Sequence, residues 1–78
     1  MSSKTTQPET LSQATPNTEY VIKDIQTNDE ELTKFLFSLG CYQGEKVTIL
    51  SVLTENFVIS VKDARYGINQ ELAEAIII

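Results

Sequence analysis

Few side chains in this sequence could carry out a reaction or hold a metal, and their spacing limits each of them. There is one cysteine, Cys41, and no histidine. One thiol without an imidazole cannot complete a tetrahedral Cys/His zinc site, cannot form a disulfide within the chain, and leaves no base for a histidine-dependent triad. Cys41 follows the end of an expected helix, where the partial negative charge of the backbone opposes a thiolate. It therefore reads as a small buried residue and not as a nucleophile. The carboxylates are then the only hard-metal ligands available. Asp29, Glu30 and Glu31 are consecutive and fan apart on a helix start, while Glu71 and Glu74 share one helical face. Neither set has the spacing of a calcium loop or of an HExxH site. The stretch from Gly40 to Gly44 lacks the lysine and hydroxyl residue of a phosphate loop. No catalytic, cofactor or metal residue is assigned, and the chain is not expected to be an enzyme.

Charge narrows the choice further. Six basic and 11 acidic side chains give a formal net charge of -5. Lys46, Lys62 and Arg65 lie among Phe57 and Tyr66, a mixture that can bind single strands. Between Tyr20 and Ile78, however, nine carboxylates accompany five bases, so a mixed-charge surface explains the pattern and no nucleic-acid partner is expected. No stretch approaches the roughly 20 apolar residues that cross a bilayer. The 78 residues suffice for one small soluble domain, and the cysteine usage fits a reducing compartment.

The elements that would position these residues follow from periodicity. Met1 to Glu19 hold ten Ser, Thr or Gln residues and both prolines, with Leu11 as an isolated large aliphatic. Residues 1–19 are accordingly expected to form a flexible tail. Tyr20 to Ile22 start a β-prone run. Thr27 or Asn28 can cap a helix over about Asp29 to Leu39, with Thr27 and Glu30 in capping-box spacing. Leu32, Phe35, Leu36 and Leu39 line one face of that helix, Phe37 falls off it, and Gly40 sits where a left-handed residue ends it. Lys46 to Leu53 and Phe57 to Lys62 read as strands, the second with Phe57, Ile59 and Val61 facing inward. A hairpin at Asp63-Ala64 leads to a strand over Arg65 to Ile68, in which Gly67 marks a bulge or a close backbone approach. Asn69 caps a helical turn, and Ile76 to Ile78 close the sheet against the first strand near Val21. The fold class is all-β with one or two short helices, a domain spanning residues 20–78. A strand edge left uncovered would permit self-association.

Leu39, Gly40, Cys41 and Gly44, followed by Val47 and Ile49, resemble the helix-to-strand corner of the FeoA family. Ile68, Ala73, Ile76 and Ile78 match the family's closing pattern. Gln43 stands where many relatives have proline, and Leu53 to Asn56 replaces a longer loop. The resemblance implies an SH3-like small barrel without catalysis or cofactor. It also implies a cytoplasmic accessory or regulatory role in bacterial ferrous iron uptake, with the FeoB-type permease as protein partner. Exposed residues at the corner and hairpin would carry the docking: Phe37, Tyr42, Gln43, Thr54, Glu55 and Asn56. The alternative is a generic SH3-like interaction or assembly domain that binds an extended peptide along a groove lined by Tyr42 and Tyr66.

Overall fold

The computed structural model describes residues 9–78. Six strands and two helices follow in the order β1 (Glu19–Val21), β2 (Asp24–Ile25), α1 (Glu30–Leu39), β3 (Lys46–Val52), β4 (Asn56–Val61), β5 (Ala64–Asn69), α2 (Gln70–Ala75) and β6 (Ile76–Ile77). A 3-10 turn, Leu11–Gln13, precedes them. One antiparallel sheet has the order β1-β3-β4-β5, and a second pairs β2 with β6. The chain passes from one sheet to the other at Ile22 and Lys23. Ile22 is buried there and its amide donates to Glu45 (2.8 Å), while the Lys23 amide donates to Ile77 (2.7 Å). One extended segment thus serves both sheets and closes a small SH3-like barrel, as expected. The terminal isoleucines pair with Asp24–Ile25, just beyond the expected partner near Val21.

Alternation sets the core. Val47 and Ile49 of β3, Phe57, Ile59 and Val61 of β4 and Ile68 of β5 point inward and are buried. The alternation of β3 breaks at a register shift between Ile49 and Ser51, so Val52 and Leu53 face solvent. Leu72, Ala73 and Ala75 of α2 close one end of the barrel, and the Asn69 side chain caps α2 by accepting from the Leu72 amide (2.8 Å). No polar or charged side chain is buried among the described residues.

Four local expectations change. Residues 9–19 are not a tail. Leu11 is fully buried with Ala14 beside it in the same core, Thr10 bridges to Ile77, and the Ile78 amide donates to Glu9 (3.0 Å). A barrel this small is short of apolar volume, and one leucine flanked by polar residues supplies part of it. The expected boundary between residues 19 and 20 therefore cuts through packed structure, while residues 1–8 lie outside the described residues. Asp29, and neither Thr27 nor Asn28, caps α1 by accepting from the Glu31 amide (2.9 Å). Thr27 supports it by accepting from the Asp29 amide (3.1 Å). On α1 Leu36 is buried and Leu32 and Leu39 pack partly against the core, but Phe35 at the edge of the stripe is exposed. The β4–β5 hairpin turns at Lys62 and Asp63, both with positive φ (52° and 63°), one residue before the expected Asp63-Ala64. That register keeps Val61 opposite Ala64 and the inner face apolar, and it carries Gly67 opposite Val58 without a bulge.

Candidate functional site

The corner between α1 and β3 is built by two left-handed glycines. Gly40 (φ 97°) ends the helix in a Schellman arrangement, its amide donating to Phe37 (3.0 Å) and the Cys41 amide to Leu36 (3.0 Å). Cys41 and Leu36, the hydrophobic pair of that motif, are both fully buried. Burial pushes the Cys41 thiol up from an ordinary 9.0 to about 11, so at neutral pH it is a protonated packing group. Gly44 (φ 91°) donates to Ile22 (2.7 Å), and the Glu45 amide donates to Tyr42 (3.0 Å). The segment is thereby tied at both ends before β3 begins.

This scaffold holds two expected site residues against each other. The rings of Phe37 and Tyr42 stack with centroids 5.3 Å apart and planes at 22°. They remain 40% and 47% exposed, so the pair is a fixed aromatic surface and not part of the core. Gln43 is exposed beside it. The Lys62 stem packs over Gly40 from the β4–β5 hairpin, and its ammonium pairs with Glu45 (3.3 Å). Sequence reasoning missed this lysine, because a residue in a hairpin turn gives no sign of what its side chain will cross.

The other expected site residues lie elsewhere. Thr54, Glu55 and Asn56 form the β3–β4 turn, tied by the Leu53 amide donating to Asn56 (2.7 Å). They border a depression of about 550 Å³ together with Asn69, Gln70 and Glu71. The corner adjoins the first residue of β3 and the turn its last. Seven strand residues place the two groups on the order of 20 Å apart. The six residues thus form two surfaces. The turn surface also exposes Val52 (53%) and Leu53 (54%), which the sequence placed within the sheet.

A second depression, about 340 Å³, lies on the outer face of β1, β3 and β4 between Glu19, Lys46, Lys62 and Glu45. Its lysines pair with its glutamates, Lys62 with Glu45 and Lys46 with Glu19 (3.9 Å), so it offers little uncompensated charge to a ligand. Neither depression is lined by Tyr42 or Tyr66, and Tyr66 packs against the core. Among the described residues no three His, Cys, Asp or Glu side chains converge as metal ligands. No described helix is long and apolar enough to cross a membrane.

The FeoA domain model matches residues 9–78, the same span as the described residues. The chain belongs to the FeoA family. That family is associated with ferrous iron transport. Solved structures agree on the fold. An iron uptake regulatory protein, itself a FeoA, superposes with a TM-score of 0.77 at 24% identity, covering 86% of this chain and 89% of that one. The zinc complex of Stenotrophomonas maltophilia FeoA, described as an SH3 domain protein, gives 0.80 at 21% identity over 91% of each chain. A manganese-dependent transcriptional repressor gives 0.82 at 14% identity, this FeoA chain covering 88% of itself and 39% of the repressor. No curated protein is significantly similar in sequence.

Proposed function

We propose that this FeoA protein is a non-catalytic accessory protein of bacterial ferrous iron uptake that docks on the cytoplasmic side of the FeoB-type permease. Family membership supports the process, and S. maltophilia FeoA is itself described as possibly a ferrous iron transport activating factor. The observation that carries the docking surface is the Phe37–Tyr42 stack, solvent-exposed yet fixed on a corner whose backbone is tied at both ends. Aromatic groups held rigid before binding lose little entropy when a partner covers them, which is the usual character of interface anchors. A wholly apolar interior leaves no buried acid or base for catalysis among the described residues. The Thr54–Asn56 turn is the secondary contact in this reading.

The test is capture of the folded protein by the isolated cytoplasmic domains of the permease. Phe37→Ala and Tyr42→Ala should each weaken binding about tenfold or more. They should leave the circular dichroism spectrum unchanged, since both rings are outside the core. Folded wild-type protein that gives no binding to those domains would refute the proposal.

A further inference from the structure

The four-stranded sheet ends in the three-residue β1, which runs on through Ile22 and Lys23 into the second sheet, and in the six-residue β5. β6 is flanked by β2 on one side and by the Thr10 bridge on the other. β5 pairs with β4 along all six of its residues, and among the described residues nothing pairs with its far side. A two-residue turn makes Val61 and Ala64 a hydrogen-bonded pair, and the ladder alternates from there. The amides and carbonyls of Arg65 and Gly67, and the amide of Asn69, therefore point away from β4. These three residues are exposed.

Gly67 has no explanation within its own fold. Its φ is not positive, no bulge occurs at it, and a Cβ there would meet nothing within 4 Å. Glycine inside a strand costs stability unless another backbone or a ligand approaches closely. The ends of β5 also differ in charge. Arg65, which forms no ion pair among the described residues, lies near the hairpin, where Lys62 is neutralised by Glu45 and Asp63 is the nearby acid. Asn69, at the far end, borders the depression lined by Glu55 and Glu71.

We infer that β5 is a self-pairing edge, on which a second copy of this chain adds its own β5 antiparallel about a two-fold axis at Gly67. Gly67 then faces Gly67 of the second copy, exchanging two hydrogen bonds with no side chain between the backbones. Arg65 faces Asn69 of the other copy and meets the Glu55 and Glu71 carboxylates twice over. Tyr66 faces Ile68, extending the apolar inner face. A parallel arrangement would set the two acidic ends together and leave each Arg65 away from them. The contact is short, so the dimer is weak, with a dissociation constant on the order of 0.1 mM.

Sedimentation velocity of the full chain from about 10 μM to about 1 mM tests this. The wild type should pass from monomer to dimer, less so in about 0.5 M NaCl, where screening is strong. Gly67→Lys places a Cβ with no neighbour within 4 Å but opposes two ammonium groups across the axis. It should raise the dissociation constant at least about tenfold with the fold intact by circular dichroism. Arg65→Glu should weaken the dimer about threefold or more, and adding Glu71→Lys should restore it. Amide exchange at Arg65, Gly67 and Asn69 should slow with concentration. Phe37→Ala should leave the dimer unchanged. A wild type that stays monomeric at the highest concentration, or a Gly67→Lys protein that dimerises as tightly as the wild type, would overturn the assignment.

Discussion

The corner at the start of β3 and the turn at its end both expose hydrophobic side chains, yet they are held in different ways. The corner spends two left-handed glycines, a Schellman motif and reciprocal bonds to Ile22 to present Phe37 and Tyr42. The turn presents Val52 and Leu53 on a hairpin with a single cross-turn bond from Leu53 to Asn56. Exposed apolar groups on an over-determined backbone are already ordered before a partner arrives, whereas a hairpin tip must be ordered on contact. The contrast supports the proposal that the corner is the primary docking surface and the turn its rim.

The largest effect separating the two regions is alkaline. Because the folded thiol of Cys41 titrates near 11 against an ordinary 9.0, the unfolded chain loses its proton first. The associated stability is complete below about pH 9 and declines by roughly 1.4 kcal/mol per pH unit until about pH 11. Urea titrations of the wild type and Cys41→Ala across that window should diverge in slope, and parallel slopes would place the corner in solvent contact. Next in size, Gly40→Ala combines a left-handed backbone with a Cβ 2.8 Å from the Lys62 stem and should cost about 1–2 kcal/mol in urea unfolding. Gly44→Ala meets no neighbour within 4 Å and should cost only the backbone strain, about 1 kcal/mol. At the turn, Leu53→Ser should change stability by less than about 0.5 kcal/mol. If it proved as costly as Gly40→Ala, the difference between the two regions would disappear.

Much of the barrel was legible in the chain because its rules are local. The Gly40 stop, the Asn69 cap and the Phe57/Ile59/Val61 alternation each need only neighbours a few residues away to be recognised. Long-range features were not. Leu11 stands alone among polar residues, so no periodicity reveals that it enters the core, and its burial depends on the Thr10 bridge to Ile77. The exposure of Val52 and Leu53 depends on a register shift that β-propensity does not encode. The hairpin at Lys62-Asp63 uses positive φ at residues other than glycine or asparagine, so the usual turn signal is missing. For the candidate site, Phe37 was visible as the aromatic that fell off the helical stripe and Tyr42 as a corner residue beyond Gly40, but their stacking was not. The pair's separation from the turn became visible only once β3 had a length and a direction.

The clasp of Glu9 and Thr10 onto Ile77 and Ile78 also sets a schedule for biosynthesis. Neither β6 nor its bridge to Thr10 exists until residue 78 has left the ribosomal tunnel, so the barrel closes only after residues 9–78 have all emerged. Until then the β3–β4–β5 meander, whose contacts are close in sequence, can form first while its apolar face waits uncovered. Ribosome-bound chains halted with residues 76–78 still in the tunnel should be cut readily by protease, and chains released past that point should resist it.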